Sequence, residues 1–548
     1  MKKLLTSKHY IVTVITAGIL FAVLMLLGGF SYYDSINLLS KDAGDIISNG
    51  LFFLKNLFVF IIVTVIISVA LFFLEKNKIK TIKISNRYFF IIPFVTLIIF
   101  YGFIYAVYFP GIAGYDVYMQ IPQALGYEEL TAHHPVLHTL FIRLCFLIGN
   151  LFPYKSSGLI VYSILQIVIY SAGISYSIYL VCKNKLSLLP LLIVVVCFVA
   201  YPTFALFAFN LTKDSIFSVI FLCFALKLYY LKNKLESTRI DYVITAFLGL
   251  MACLFRNNAV YALLVLMIIL AFTKFNRKAL LSLLFCIIVY LIISNVIFGR
   301  ILHIDSPQQE KLSIPIQQIT AASVLSPDDV DEETEKIIEE YLPLHKNRFI
   351  RTSVDLVKVS FNNDKYNQDK ISFWKVWIKL GIEHPIAYIK YGILLNLESW
   401  YPYYEFKDPN FYTQYINTEL QLKYIDSKFD DDRIYLFPEV YNSLEEYSNY
   451  DARIMNTKVL GLIFSLSLPF LYLYQMVVQS IAMKKYKCLL IFLPFLLLWA
   501  THLLGPLSNL RYFLTILMLF PLGICVFTKE KSCKFKDLFS IHNKKEHN

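Results

Sequence analysis

Charged side chains are scarce in this chain of 548 residues, in which Asp, Glu, Lys and Arg together make up 16%. Soluble domains contain about 25% of these residues and are about 45–50% apolar. Here hydrophobic residues make up 57% of the chain, and the mean hydropathy is +0.58. This composition excludes a soluble globular protein and a disordered one, and it predicts a polytopic membrane protein.

The sequence also lacks the cysteine spacings that build disulfide frameworks. Its nine cysteines include no CxxC pair, and all but Cys182 and Cys533 fall inside apolar runs. Thiols in such runs are typical of small, buried hydrophobic positions. No small-residue cleavage pattern follows the first apolar run, Tyr10 to Phe30, so we expect a spanning helix there rather than a signal peptide.

Apolar runs of roughly 16–25 residues recur along the chain and predict an all-α polytopic bundle of about 12 spanning helices. A further apolar segment, 136–152, is shorter and contains Arg143. The predicted spans lie near 10–29, 51–74, 89–109, 158–181, 187–208, 214–231, 241–255, 258–273, 279–299, 457–481, 488–504 and 511–528.

The net charge of +12 is distributed unevenly. Residues 300–456 hold 17 basic and 26 acidic residues, a net charge of −9, so the rest of the chain carries +21. The basic residues cluster in short loops between apolar runs, which indicates membrane orientation rather than nucleic-acid binding. With cytoplasmic N- and C-termini, every basic loop is cytoplasmic and 300–456 is external. If 136–152 spanned, later basic loops would face outward, so we expect it to be interfacial or re-entrant.

These patterns divide the chain into regions. A Glu-rich run from Pro327-Asp328-Asp329 to Tyr341 predicts a capped helix, so the external region is expected to be mainly helical. No internal repeat and no Gly- or Pro-broken helix pair of the transporter type is visible in the sequence. The predicted regions are 1–88 with two spans, a membrane core at 89–299 containing an external loop at 110–157, an external domain at 300–456, C-terminal spans at 457–528 and a basic tail at 529–548.

The external loop after the third span contains an acidic candidate for catalysis. Pro110 and Gly111 end the preceding helix, and Asp116 follows near the membrane boundary. A partly desolvated carboxylate at this depth suits a general base that accepts a proton from a hydroxyl group. The alternative is an ordinary solvated loop acid.

Histidines later in the same loop form a second candidate. His134 and His138 are four residues apart, so one helix face could present both to a metal ion together with Asp116. The alternative is that the His133-His134-Pro135 turn caps a helix and packs at the interface. A divalent cation is therefore one candidate cofactor, and no other cofactor is indicated.

Three cations lie at the external ends of apolar runs, where the orientation pattern disfavours them. They are Lys213, which precedes Asp214, Arg256, which precedes Asn257, and Arg511, which precedes Tyr512. Cations at this depth are costly and usually have a partner, and together they would suit a phosphate group. The alternatives are snorkelling toward lipid phosphates and, for Lys213-Asp214, an ordinary helix start.

Tryptophan is concentrated in the external domain, which contains three of the four in the chain. The run from Ser399 to Tyr404 includes Trp400 and Tyr401, whose rings could stack on a sugar or an acceptor. The same rings could instead anchor the domain at the membrane interface or pack on the bundle, and we favour this second interpretation.

The ordered motifs resemble the GT-C superfamily of membrane glycosyltransferases. More closely, they resemble an uncharacterised family of such proteins common in low-GC Gram-positive bacteria, over about 89 to 528. The motifs are Pro110-Gly111, Asp116, Gln120, His134-Pro135, Lys213-Asp214, Arg256-Asn257-Asn258 and Arg511-Tyr512, with Leu312 to Gln318, His384-Pro385 and Tyr401-Pro402 in the external region.

The resemblance implies a GT-C-like bundle and a polyprenyl-phosphate sugar donor. It implies that Asp116 is the catalytic residue of the first external loop, that Asp214 is a second acidic residue of the site, and that Arg256 and Arg511, with Lys213, bind the lipid phosphate. His133, His134, Gln120, Asn257 and Tyr512 would shape the site. The chain has a lone Asp116 where better-known members have an adjacent Asp-Glu pair, which leaves metal dependence open. The spans within 1–88 correspond to an N-terminal addition.

The sequence therefore predicts an inverting glycosyltransferase of the bacterial plasma membrane. Asp116 would deprotonate an acceptor hydroxyl, while Arg256 and Arg511 would stabilise the departing polyprenyl phosphate. The acceptor would be a cell-envelope glycan, a teichoic acid or a lipid, and membrane lipids would surround the bundle. The alternatives are a flippase or transporter for lipid-linked glycans and a wall-polymer ligase or polymerase.

Overall fold

The computed structural model describes residues 1–33, 38, 42–76, 85–182, 188–233, 237–273, 275–403, 416–420, 422–427, 429, 433–448 and 465–533. Within these ranges the regular secondary structure is helical, without a strand, and only isolated β-bridges occur. The predicted all-α class is confirmed for this part of the chain.

The helices follow the apolar runs closely. In chain order the α-helices are Lys2–Leu5, Lys8–Tyr32, Ala43–Lys76, Tyr88–Val107, Val117–Leu125, Val136–Gly149, Ser157–Cys182, Leu188–Ala200, Pro202–Phe207, Lys213–Asn233, Arg239–Phe255, Ala259–Ala271, Arg277–Leu291, Ser313–Leu325, Glu332–Tyr341, His345–Arg348, Asp355–Lys358, Asn363–Gln368, Lys370–Glu383, Pro385–Leu394, Pro438–Ser448, Leu468–Ala482, Leu489–His502 and Leu510–Lys529. A π-helix continues the chain at Ile292–Ile301, and short 3₁₀ turns lie at Gln308–Lys311, Pro327–Asp329, Leu397–Ser399, Leu422–Tyr424 and Tyr486–Cys488.

Among the described residues, seven helices are long and apolar enough to cross a membrane. Apolar side chains cover the outward surfaces of five of them, as Ile62 and Ile66 do at 57% and 61% exposure. Such surfaces are stable against lipid and costly in water. They indicate a membrane protein. The seven are Lys8–Tyr32, Ala43–Lys76, Tyr88–Val107, Ser157–Cys182, Lys213–Leu231, Arg277–Ile301 and Leu510–Lys529.

Shorter apolar helices fall on other predicted spans. Ala259–Ala271 has 13 residues, and at about 1.5 Å per residue it is shorter than the roughly 30 Å hydrocarbon core. The segment predicted at 136–152 forms Val136–Gly149, which is also short. Residues 457–464 of one predicted span, the basic loops 77–84 and 183–187 and the tail beyond 533 lie outside the described residues.

The acidic region 300–456 contains a hydrophobic core of its own. Ile316 and Ile319 of Ser313–Leu325 pack with Ile338 and with Phe373 and Leu380 of Lys370–Glu383. The predicted capped helix is present as Glu332–Tyr341, where the Asp331 side chain accepts a hydrogen bond of 2.9 Å from the Thr334 backbone N–H. The described residues 312–395 of this region therefore form a packed helical layer.

The described part of the aromatic run, 399–403, packs against the first two long helices. Trp400 and Tyr401 are buried, with Phe21, Met25 and Phe60 in the same cluster. Gly28 is required here, because a Cβ atom at this position would overlap the Tyr401 ring. The structure therefore does not place Trp400 and Tyr401 where a sugar or an acceptor could reach them, and their contacts are those of a packing interface.

Candidate functional site

A cavity of about 730 Å³ lies between the ends of the membrane helices and the acidic region 300–456. This volume is typical of small-molecule sites. The cavity brings together eight of the residues singled out from the sequence: Asp116, His133, His134, Lys213, Arg256, Asn257, Arg511 and Tyr512. Because these residues are up to about 400 positions apart in the chain, only the folded bundle assembles them.

The loop that carries Asp116 is fixed from several sides. Gly111 has φ +140°, and a Cβ atom there would lie 2.7 Å from the Ser163 hydroxyl oxygen. The Arg433 guanidinium donates hydrogen bonds of 3.0 Å to the carbonyls of Tyr108 and Gly111, and another to that of Thr418. The loop then ends at Asp116, which is the N-cap residue of Val117–Leu125. Asp116 is thus held in place by the chain on both sides.

The Asp116 carboxylate is engaged by two cations. Arg511 approaches it in a bidentate manner, with Nη1–Oδ2 and Nη2–Oδ1 distances of 2.9 and 3.1 Å. Lys213 Nζ also binds Oδ2, and His134 Nδ1 lies 3.7 Å from that oxygen. Burial alone would raise the pKa of Asp116, but the charges of Arg511 and Lys213 outweigh it and hold the pKa well below its usual value.

A second carboxylate lies deeper and continues the ion-pair chain. Asp214 is fully buried and pairs with Arg256, while Arg511 Nε lies 3.6 Å from its Oδ2 atom. Lys213 and Asp214 are the first two residues of the same helix. Lys213 contacts Asp116, whereas Asp214 contacts Arg256 and Arg511. Arg511 therefore bridges both carboxylates, and cations and carboxylates alternate from Lys213 to Arg256.

Aromatic rings support the two guanidinium groups. Tyr512 lies between them, with its ring centroid 4.7 Å from Arg256 Cζ and 5.2 Å from Arg511 Cζ. His502 stacks on Tyr512, and its Nδ1 atom is 3.4 Å from Arg256 Nη2. Asn257 accepts a hydrogen bond of 3.4 Å from the Tyr290 hydroxyl. Aromatic faces stabilise cations and keep the guanidinium planes in fixed orientations.

The charge balance of the network favours an anion. Lys213, Arg256 and Arg511 supply three positive charges against the two carboxylates Asp116 and Asp214. The network on this wall of the cavity therefore carries a net charge of +1. Charge-assisted hydrogen bonds from lysine and arginine are strongest to phosphate and carboxylate oxygens, so a phosphate group is the ligand that this wall best accommodates.

The histidines do not form a metal site. Both ring nitrogens of His138 are engaged, Nδ1 at 3.1 Å from Gln120 Oε1 and Nε2 at 2.9 Å from the Tyr162 hydroxyl. His134 is also engaged on both sides, with Nε2 3.4 Å from the Met119 sulfur and Nδ1 3.7 Å from Asp116 Oδ2. Across the described residues, no group of three His, Cys, Asp or Glu side chains is placed to hold a metal ion. The predicted cation site at Asp116, His134 and His138 is not found, because His138 lies behind the cavity wall with Gln120.

The opposite wall of the cavity was not anticipated from the sequence. It is formed by region 300–456, which contributes Glu310, Asp355 and Lys358. Lys358 Nζ lies 2.7 Å from Glu310 Oε2, and His133 Nδ1 lies 3.4 Å from Glu310 Oε1. No local motif marks Glu310 and Asp355 among the 26 acidic residues of the region. His502 lies at the end of an apolar helix, where a polar side chain is unusual, and this position is a weak indication of the kind that identified Arg511.

Comparison with known proteins assigns the chain to a family without assigning an activity. The pattern of a family of unknown function, DUF6020, matches residues 118–537, and the chain therefore belongs to that family. The match begins two residues after Asp116 and includes every other residue of the ion-pair network. No curated protein and no solved structure matches the chain.

Proposed function

We propose that this member of the DUF6020 family is an integral-membrane inverting glycosyltransferase that uses a polyprenyl-phosphate sugar donor. The observation that carries the proposal is the cluster of three cations, Lys213, Arg256 and Arg511, on one wall of a cavity at the ends of apolar helices. A lipid-linked phosphate sits at this boundary between hydrocarbon and water, where its tail stays in lipid while its phosphate and sugar occupy the cavity.

The leaving phosphate is the group that these cations would stabilise. In an inverting transfer, the acceptor oxygen attacks the anomeric carbon while the bond to the phosphate oxygen breaks, so negative charge grows on the phosphate. Arg511 and Lys213 at present bind Asp116, and a phosphate would compete with that carboxylate for both. Arg256 stays fixed by the buried Asp214, so part of the phosphate site is preorganised.

The proposal includes a membrane orientation. A GT-C-like bundle of about 12 spans, with both termini cytoplasmic, puts the cavity and region 300–456 on the outer face of a bacterial plasma membrane. The shortness of Val136–Gly149 supports an interfacial or re-entrant position for it. The acceptor on that face would be an envelope glycan, a teichoic acid or a lipid.

A transfer assay tests this function. The protein in lipid nanodiscs is incubated with defined polyprenyl-phosphate hexoses and membrane extract, and products are identified by mass spectrometry. We expect the wild type to form glycosylated product and Arg511→Ala to form none. Arg143→Ala is the matched control, because Arg143 is exposed on Val136–Gly149 and is absent from the cavity lining. If the wild type neither hydrolysed any of the donors nor transferred sugar from them, the proposal would be contradicted.

A further inference from the structure

The cavity contains carboxylates in two different electrostatic situations. Asp116 and Asp214 are tied to the three cations of one wall, whereas Asp355 and Glu310 lie on the other wall. Glu310 is itself tied, at 2.7 Å from Lys358 and 3.4 Å from His133. An inverting transfer needs a group that accepts the proton of the acceptor hydroxyl. The structure therefore allows the carboxylates to be compared as proton acceptors.

Asp116 is poorly suited to accept a proton in this state. Both of its oxygens receive hydrogen bonds from Arg511, and Oδ2 also receives one from Lys213. Its pKa lies well below the usual value because those charges outweigh the effect of burial. A carboxylate stabilised to this degree in its ionised form is a weak base. Its contacts instead fix the position of the two cations that would meet the phosphate.

Asp355 has the opposite character. Its side chain is 46% exposed, and Lys358 Nζ, 3.5 Å away, is itself held 2.7 Å from Glu310. Desolvation within the cavity wall raises the pKa of Asp355, and the charges of Glu310 and Asp116 add to this effect against that of Lys358. A residue that lines a deep cavity can be reached by water while protein surrounds most of it. Its carboxylate is therefore both reachable and more basic than usual.

The backbone brings Asp355 to the cationic wall. Asp355 opens the short helix Asp355–Lys358, and the preceding Val354 N–H donates a hydrogen bond of 3.3 Å to the Pro506 carbonyl. Pro506 lies five residues before Arg511. This contact joins region 300–456 to the turn that leads into the Arg511 helix, so a substrate between the two walls meets both groups.

We propose that Asp355 is the proton acceptor of the transfer and that Asp116 is a positioning residue for Arg511 and Lys213. This assignment rests on the proposed function. The acceptor oxygen forms a bond to the anomeric carbon, and its proton passes to the Asp355 carboxylate. The bond between the anomeric carbon and the phosphate oxygen breaks, and its electron pair remains on the polyprenyl phosphate beside Arg256, Arg511 and Lys213.

The test compares Asp355→Asn with Asp328→Asn, an exposed acid of the same region, in the nanodisc transfer assay. A general base contributes about 10²–10⁴-fold to the rate. We expect Asp355→Asn to lower kcat by about that factor, with inhibition by polyprenyl phosphate within twofold of the wild type. Asp355→Glu should retain measurable transfer with a displaced acid limb of its pH profile. Asp116→Asn should instead strengthen inhibition by polyprenyl phosphate, because it removes the carboxylate that competes with the phosphate for Arg511 and Lys213.

The outcomes separate the inference from the function on which it rests. An active wild type together with a fully active Asp355→Asn variant would overturn the assignment of Asp355 and leave the glycosyltransferase proposal standing. The assignment would also be overturned if Asp355→Asn lowered kcat and weakened inhibition by polyprenyl phosphate to the same extent, because Asp355 would then belong to the donor site. A wild type inactive with every donor would overturn both.

Discussion

At the scale of single residues, Arg511 holds the centre of the site. It bridges Asp116, at 2.9 and 3.1 Å, and Asp214, at 3.6 Å, and it stacks against Tyr115 and Tyr512. Its planar guanidinium makes paired contacts that a lysine ammonium cannot reproduce. The electrostatics of the cavity therefore depend on the shape of this side chain as well as on its charge.

Arg511→Lys separates shape from charge. We expect it to weaken inhibition by polyprenyl phosphate by about 10–100-fold, since a hydrogen bond to a charged group is worth about 1.5–3 kcal/mol. The measurement is the inhibition constant for polyprenyl phosphate in the transfer assay. Arg143→Lys serves as the control, and equal constants for wild type and Arg511→Lys would exclude paired contacts with the phosphate.

The ion pairs of Asp116 predict a pH dependence of stability. Since its folded pKa is depressed, the stabilisation is fully present above the unfolded pKa of about 3.9 and is lost as pH falls through the folded pKa. We expect Asp116→Asn to melt below the wild type by a constant interval between about pH 5 and pH 8. Thermal unfolding in nanodiscs should show that interval shrinking below about pH 4, and an interval that grew in acid would be inconsistent with the ion pairs.

Sequence alone could identify one wall of the cavity but not the other. Lys213, Arg256 and Arg511 stand out because cations at these ends of apolar runs break an otherwise regular charge pattern. Asp355 and Glu310 are acids in an acid-rich region, and only tertiary folding brings them to the cavity. The ion pairing of Asp116 was equally hidden, because its partners lie 97 and 395 residues away in the chain.

At the scale of elements, the position of Asp116 depends on the backbone conformation of the loop that follows Tyr88–Val107. Its helix was predicted at 89–109 and ends at Val107, close to expectation, because Pro110 and Gly111 stop it. The clamp formed by Arg433 could not be predicted, since it comes from a separate part of the acidic region. Two substitutions test these two restraints.

Gly111→Ala should impair both folding and activity. A side chain is strained at φ +140°, and its Cβ atom would lie 2.7 Å from the Ser163 hydroxyl oxygen. We expect a lower melting temperature and a loss of transfer of at least tenfold. Gly102→Ala is the control, since Gly102 lies in the preceding helix and a Cβ atom there would meet nothing within 4 Å. Similar melting for both variants would show that the turn tolerates a side chain.

Arg433→Ala should make the loop at 108–116 less ordered, because Arg433 holds this loop from the acidic region. It removes hydrogen bonds to three backbone carbonyls, each worth about 1.5–3 kcal/mol when the donor is charged. We expect reduced thermal stability and slower transfer, because Asp116 would lose its fixed position. Lys311→Ala, at an exposed position of the acidic region, provides the comparison. Unchanged melting and transfer in Arg433→Ala would show that the clamp is dispensable.

At the scale of the whole molecule, the acidic region covers the cavity formed at the helix ends. The composition predicted a membrane protein and a separate helical region, and both follow from hydropathy and charge. The contact of 399–403 with the first two long helices required the folded structure, because the sequence does not distinguish an aromatic anchor at the membrane interface from one that packs on the bundle. The molecule thus has a charged cavity at the helix ends that is bounded by two chemically different walls.

This arrangement predicts an orientation that can be measured in cells. An epitope inserted beside the exposed Asp328 should bind antibody in intact spheroplasts, whereas one at the C-terminus should bind only after permeabilisation. Antibody binding in the reverse pattern would put the cavity on the cytoplasmic side and exclude the acceptors proposed above.

The most direct measurement is a cryo-electron microscopy structure of the protein in nanodiscs with polyprenyl phosphate bound. We expect phosphate density in the cavity, within hydrogen-bond distance of Arg511 and Arg256, with Lys213 turned from Asp116 toward the phosphate. Two results at saturating ligand would contradict a phosphate site in this cavity. One is phosphate density elsewhere on the bundle, and the other is an unaltered pairing of Lys213 and Arg511 with Asp116.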